Sequence, residues 1–191
     1  MSDIFTYNTN DALKLDTSLV SKIPLFNLVK ETHPILTQKL ELFDFINCPV
    51  NPNEFASSLV ETCRQHKGLG LSANQCGFPY RVFVMGAEDN YVSFFNPEID
   101  SFSKEEVIME EGCLSFPLLS LRIKRPKSID VRYLDYNGVQ RFATFEGLSA
   151  RVFQHELDHL NGIVYTDVCK PVALQMATKK QNKLMKRMGL K

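Results

Sequence analysis

The segment His155–His159, with the sequence HELDH, decides how this chain is interpreted. On a helix, side chains at positions i and i+4 project from one face about one turn apart, so His155 and His159 can bind the same metal ion. Glu156 lies beside the first histidine and can act as the general base towards a metal-bound water. The pattern therefore indicates metal-assisted hydrolysis. The alternative is a polar helix that carries two surface histidines.

The residues around this segment favour the metal interpretation. Apolar Val152, Phe153, Leu157 and Leu160 flank the two histidines, which predicts a largely buried helix. Buried histidines next to acidic groups need partners, and a metal ion supplies one.

Composition narrows the class of protein. The 191 residues are enough for one well-formed core. Lys+Arg and Asp+Glu both number 22, which argues against a protein that binds nucleic acid over its whole surface. The sequence shows no apolar run of membrane-spanning length and no hydrophobic signal core at its start, so we expect no membrane partner. The five cysteines are odd in number and include no CxxC pair, so we expect no disulfide framework. That indicates a reducing compartment, and we expect a cytoplasmic protein.

Local patterns predict an α+β fold, in which mixed or antiparallel sheet packs around a central metal-binding helix and a further helix ends the chain. We expect an irregular N-terminal arm over 1–22 and a single catalytic domain over 23–191. The helix from Asn51-Pro52 to Gly68 has a capping residue followed by proline. The remaining predicted elements are helices near 37–45, 149–160 and 172–188, strands at 80–85 and 91–95 (the latter broken by Asn96-Pro97), and a hairpin of 128–135 with 139–145.

A catalytic site of this kind needs three protein ligands and one open coordination position. Downstream of His159 the candidates are poor, because Tyr165 occupies the position of a possible third histidine and Asp167 is the only acidic residue. The third ligand should therefore lie upstream. A thiolate is a strong ligand for borderline and soft metals. The upstream candidates, in order of preference, are Cys113, then Glu146 or Glu111, and then Cys76.

Three segments together resemble one family. GLGLSANQ at 68–75 resembles the first motif of peptide deformylases, EGCLS at 111–115 their second, and QHELDHLNG at 154–162 their third. Their order and spacing also fit, and the resemblance extends from about residue 23 to the C-terminus. It implies removal of the formyl group from the N-terminal formylmethionine of newly synthesised polypeptides. Taken alone, residues 68–70 would indicate only the end of a helix followed by a loop.

The resemblance also implies the ligands and the proton carrier. Cys113, His155 and His159 match the family's metal ligands. The family's native ion is usually Fe(II), and zinc, nickel or cobalt can take its place. Glu156 matches the residue that takes a proton from water and protonates the leaving amine.

Further residues match the family's oxyanion donors and substrate contacts. Gln75, through its side-chain amide, and Leu114, through its backbone N–H, match the donors to the developing oxyanion. Gly70 is expected to pair with the backbone of a peptide substrate along an edge strand. Positions that orient the ligands in the family correspond to Gln154, Ser115, Arg125 and Asp158, although a plain salt bridge describes the last two equally well.

The chain departs from the family pattern at two places. Ser72 stands where alanine is usual. The segment 116–120, FPLLS, lacks the charged residue or the arginine that many bacterial members have there. The resemblance therefore implies no particular contact to the residues that follow methionine.

The C-terminal segment is basic. Between Lys170 and Lys191 it carries seven basic residues and no acidic one. One interpretation is a solvated helix whose Val172, Met176 and Leu184 cover the core. The other is docking to the ribosome near the exit tunnel, because a basic helix suits phosphate contacts.

Three other functions compete with the deformylase hypothesis. A zinc endopeptidase would use the same helix, but the sequence offers it no downstream third ligand. A structural Cys/His site would need a fourth protein ligand. A mechanism with Cys113 as a nucleophile activated by histidine would not depend on a metal.

Overall fold

The fold is described from a computed structural model, over residues 23–189. Three helices and seven strands form in the order α1 (Pro52–Gln65), β1 (Gly70–Ser72), β2 (Val82–Ala87), β3 (Asn90–Phe102), β4 (Glu106–Cys113), β5 (Phe116–Pro126), β6 (Ser128–Leu134), β7 (Gln140–Glu146), α2 (Leu148–Leu160) and α3 (Pro171–Arg187). Short 3-10 helices lie at Pro34–Thr37 and Ala73–Cys76. The predicted α+β class is confirmed. Within 23–189, no helix is long and apolar enough to cross a membrane.

Two antiparallel sheets surround helix α2. The larger has the strand order β1-β2-β3-β6-β7, and the smaller is the β4–β5 hairpin. Phe153 of α2 packs edge-on against Phe83 and Phe94 of the larger sheet, with ring centroids 5.0 and 5.3 Å away. Burying these rings supplies much of the apolar area that fixes α2 on the sheet. The helix is thereby held between the sheets, where its polar residues are shielded from water.

Sequence signals explain the ends of α1 and α2. The side chain of Asn51 accepts a hydrogen bond from the N–H of Glu54 at 3.1 Å and so caps α1, as predicted. Helix α2 ends at Leu160, and Gly162 follows with φ +72°. A Cβ at position 162 would lie 2.7 Å from the carbonyl oxygen of Thr37, so glycine is required by both conformation and space.

Two predictions about local structure are wrong. The segment 38–45 is irregular rather than helical, because its backbone bonds to other elements: Leu40 N–H donates to Leu160 O, and Phe43 N–H donates to the side chain of Asn96. Strand β3 continues through Asn96-Pro97 instead of ending there. Asn96 adopts φ +49°, and the pairing with β6 shifts at this irregularity.

Helix α3 packs on β5, but of the three residues predicted to cover the core only Leu184 is partly buried. Val172 and Met176 are about two-thirds exposed, and so do not cover the core. Leu174 and Ala177 pack instead against the cluster beneath β5 that contains Leu121. The other predicted helices and the β6–β7 hairpin are confirmed within a few residues. The predicted arm over 1–22 lies outside the described residues.

Candidate metal centre and active site

Three potential ligand atoms converge where β4 ends against α2. The sulfur of Cys113 and one imidazole nitrogen each from His155 and His159 lie within 4.8 Å of one another. The Sγ atom of Cys113 is 3.2 Å from Nε2 of His159. Both histidines are buried and the cysteine is partly buried. The helical spacing of the two histidines and the end of β4 therefore bring together the three residues that the sequence resemblance singled out.

This donor set fits a catalytic metal ion. Tetrahedral bonds of about 2.0–2.1 Å to nitrogen and 2.3 Å to sulfur place two nitrogens and one sulfur roughly 3.3–3.6 Å apart. The 3.2 Å separation between Sγ and Nε2 is close to that range. One thiolate and two imidazoles are ligands that iron, nickel, cobalt and zinc accept. Three protein ligands also leave a coordination position free for a reactant.

Glu111 orients His155 towards this centre. Its Oε2 atom lies 3.0 Å from Nδ1 of His155, which leaves Nε2 of the ring for a metal. Burial opposes the protonation of His155, but Cys113 and Glu111 outweigh it and raise its pKa to about 10. Burial and the charge of His155 lower the pKa of His159 well below its ordinary value. Of the two histidines, His155 is therefore the one whose protonated form its surroundings favour.

Two buried arginines hold Glu111 in turn. Arg125 donates to both of its oxygens, at 2.7 and 3.0 Å, and Arg151 donates to Oε1 at 2.8 Å. Burial alone would raise the pKa of Glu111, but the hydrogen bonds of His155 and Arg125 outweigh it and lower the pKa to about 2. Arg125 also contacts Asp158 at 2.6 Å, so the predicted salt bridge and the orienting role coexist. Arg151 was not predicted from the sequence, because no motif or spacing marks it as a partner of Glu111.

Gln75 points its amide nitrogen at the metal centre. Its Oε1 accepts a hydrogen bond from the backbone N–H of Ser72 at 2.9 Å, which fixes the orientation of the amide. Its Nε2 then donates to Cys113 Sγ at 3.3 Å and to Ser115 Oγ at 3.1 Å. A donor whose direction is set in advance can stabilise negative charge without reorganising.

Glu156 lies buried on α2 next to the edge of the large sheet. The hydroxyl of Ser72 donates to its Oε2 at 2.6 Å. Burial raises the pKa of Glu156 above its ordinary value, while His155 and the Ser72 hydroxyl act in the opposite direction. A carboxyl group with a raised pKa can both accept and return a proton near neutral pH.

A cavity of about 620 Å³ opens over these groups. Gly70 lies on its wall in β1, the outermost strand of the large sheet, and Leu114 and Glu156 line it as well. Leu148 and Val152 of α2 form an apolar part of the cavity wall. The cavity therefore combines an edge strand, an apolar wall and a proton carrier beside the three ligand atoms.

The other residues considered as ligands lie elsewhere or have other partners. Glu146 is exposed and forms an ion pair with Lys127 at 3.4 Å. Cys76 is partly buried and is not among the described residues that cluster as metal ligands. Gln154 donates to the carbonyls of Pro126 and Ala150, at 3.0 and 2.9 Å, and so ties α2 to the end of β5.

Comparisons with known proteins agree with this site. The sequence profile of one family, polypeptide deformylase, matches residues 25–175. A peptide deformylase of Wolbachia pipientis is 36% identical over 178 residues, covering 86% of this chain and 97% of that protein. The crystal structure of peptide deformylase from Thermotoga maritima matches with a TM-score of 0.71 and 36% identity, covering 78% of this chain and 99% of that one. A peptide deformylase from Legionella pneumophila matches with a TM-score of 0.78 and 27% identity, covering 88% and 99%.

These matches confirm the resemblance drawn from the three sequence motifs. The family profile spans most of the chain, and the structural matches share its fold. This chain therefore belongs to the polypeptide deformylase family, and its activity is the metal-dependent hydrolytic removal of the formyl group from formyl-methionyl polypeptides.

Proposed function

We propose that Cys113, His155 and His159 hold one divalent metal ion, with Fe(II) as the native ion and zinc, nickel or cobalt as replacements. The observation that carries the proposal is the convergence of these three ligand atoms within 4.8 Å, with Cys113 and His155 on the wall of the cavity. When bound, such an ion supplies the positive charge that acidifies water and polarises a carbonyl group.

Glu156 carries the proton in this proposal. It takes a proton from the attacking water as the new C–O bond forms at the formyl carbon. It returns that proton to nitrogen as the C–N bond breaks, which releases formate and a free amino terminus. Its burial and its place on the cavity wall support this role.

Gln75 and Leu114 bind the oxygen that becomes negatively charged during the attack. Gln75 contributes Nε2, and Leu114 contributes its backbone N–H. Gly70 pairs with the backbone of the formyl-methionyl peptide, which extends the large sheet by one strand. The methionine side chain then lies against the apolar wall formed by Leu148 and Val152.

The metal content of purified variants tests the ligand assignment. After purification without oxygen, the wild-type protein should retain close to one metal ion per chain by mass spectrometry. Cys113→Ala should lose most of it, whereas Cys76→Ala, the matched control, should keep it. Full metal retention by folded Cys113→Ala would refute the assignment.

We also propose that α3 docks the enzyme on the ribosome, beside the nascent chains it acts on. Its exposed face carries Lys179, Lys183 and Lys186, which suit contacts to RNA phosphates. A salt-dependent ribosome pull-down should weaken for Lys179→Glu/Lys183→Glu and stay unchanged for the control Lys39→Glu/Lys104→Glu. Equal binding by both double variants would refute this docking.

The remaining proposals concern organisation and location. We assign residues 23–191 to the catalytic domain and 1–22 to an additional arm. The odd number of cysteines and the soft thiolate ligand suit a reducing compartment, so the site of action is the cytoplasm.

A further inference from the structure

Ser72 forms hydrogen bonds to two side chains of the active site, those of Gln75 and Glu156. Its backbone N–H donates to Gln75 Oε1 at 2.9 Å, and its hydroxyl lies 2.6 Å from Glu156 Oε2. The residue is completely buried at the end of β1, where it pairs with Phe83 of β2. The strand pairing therefore fixes the position from which both groups act.

The hydroxyl of Ser72 has one proton to donate, and geometry decides where it goes. Glu156 offers two acceptors, its Oε2 at 2.6 Å and its backbone carbonyl at 3.1 Å. A distance of about 2.5–2.7 Å is typical of a hydroxyl that donates to a carboxylate. The proton therefore points at Oε2, which ties that oxygen to the edge strand.

The other oxygen of Glu156 faces a different neighbour. A Cβ atom placed at Gly70 would lie 2.5 Å from Oε1, so this oxygen occupies the space that the glycine leaves open. Both residues line the cavity. The two oxygens are thus distinguished by their surroundings, one held by the Ser72 hydroxyl and the other beside Gly70 on the cavity wall.

We propose that Ser72 is a positioning residue for the deformylation reaction: its hydroxyl anchors Oε2 of Glu156, so that Oε1 is the oxygen that accepts and returns the proton. The proposal rests on the role of Glu156 proposed above. Ser72 touches neither the substrate nor the metal ligands in this scheme, and its hydroxyl proton acts through Glu156. The hydroxyl oxygen also caps the backbone N–H of Gln75, whereas the bond that orients the Gln75 side chain comes from the Ser72 backbone and does not need the hydroxyl.

Ser72→Ala tests the proposal, because it removes the hydroxyl and keeps the backbone N–H. We expect kcat for a formyl-methionyl peptide to fall about tenfold, with KM within about twofold, since the carboxylate loses its fixed orientation. The matched control is Ser57→Ala, which removes another buried hydroxyl, one with no hydrogen-bond partner among the described residues. It should keep the wild-type kcat.

A double-mutant cycle separates positioning from a general structural effect. Glu156→Asp withdraws the carboxylate by roughly one C–C bond, about 1.5 Å, beyond reach of the hydroxyl. Adding Ser72→Ala to Glu156→Asp should therefore change kcat by less than about twofold. A wild-type kcat for Ser72→Ala alone, or an equal loss in both backgrounds, would overturn the proposal. An inactive wild-type protein would instead contradict the proposed function.

A crystal structure of Ser72→Ala provides a readout that does not depend on activity. The carboxylate of Glu156 should be rotated or present in two orientations, while Gln75 keeps its contacts to Cys113 and Ser115. An unmoved carboxylate would overturn the proposal.

Discussion

Glu156 occupies the space beside Gly70: a Cβ added at position 70 would lie 2.5 Å from Oε1, 2.8 Å from Cγ and 2.9 Å from Cδ of the glutamate. The glycine therefore keeps the edge strand open to a peptide and also makes room for the side chain that we assign as the proton carrier.

Gly70→Ala should impair catalysis far more than stability. The atoms that a new Cβ would meet belong to the side chain of Glu156, which must move, and a shift of about 1 Å in an active site costs on the order of 100-fold in rate. We expect kcat/KM to fall by that order while the thermal unfolding midpoint changes little. Steady-state kinetics beside a melting curve checks this, and an unchanged kcat/KM would contradict the assigned position of Glu156.

Glu156→Ala should keep the metal and lose turnover. The ligand atoms belong to other residues, so we expect the metal content to remain at the wild-type level. Loss of the proton carrier should lower kcat by about 10²- to 10⁴-fold. Metal analysis and formate release on the same preparation test both parts, and full activity of this variant would refute the role.

Glu111→Gln should weaken both folding and metal binding. The substitution leaves buried Arg151 without its carboxylate partner and Arg125 with Asp158 alone, which costs about 3–5 kcal/mol of folding free energy. It also weakens the hold on His155, so metal affinity should fall about 10- to 100-fold. Denaturant unfolding and metal titration measure the two effects. The exposed neighbour offers a matched control, Glu110→Gln, which should show neither effect.

Metal binding should release a proton. In the metal-free protein the pKa of His155 is raised to about 10, so the ring is protonated at neutral pH and must lose that proton to bind a metal. Between about pH 7 and 9 the apparent affinity should rise by up to about tenfold per pH unit. Calorimetric titration in two buffers of different ionisation enthalpy counts the released protons. A metal affinity that does not change with pH would contradict the protonation of His155 before the metal binds.

The parts of the fold that were predicted correctly depend on local signals. Helix α1 begins at an Asn-Pro pair that caps it, and the β6–β7 hairpin turns at Asn137-Gly138. The two histidines of α2 could be placed together because they are four positions apart on one helix, which puts both side chains on the same face. These signals need only a few neighbouring residues, so tertiary contacts did not override them.

The errors arose where distant parts of the chain supply the backbone's hydrogen bonds. Residues 38–45 are not helical because the N–H groups of Leu40 and Phe43 donate to Leu160 and Asn96, partners that no local pattern reveals. The β4–β5 hairpin was missed because residue type does not follow burial along β4: apolar Ile108 lies on its exposed face and charged Glu111 on its buried face. For the same reason the residues alone placed Cys113 first but left Glu146, Glu111 and Cys76 as alternatives, and only the family resemblance singled out Cys113.

The most direct test of the account is formate release from a short formyl-methionyl peptide. The protein would be purified without oxygen, loaded with Fe(II) or Ni(II), and assayed beside the matching acetyl-methionyl peptide. The account predicts rapid release of formate and little cleavage of the acetyl group. No formate from a folded, metal-loaded protein would contradict it.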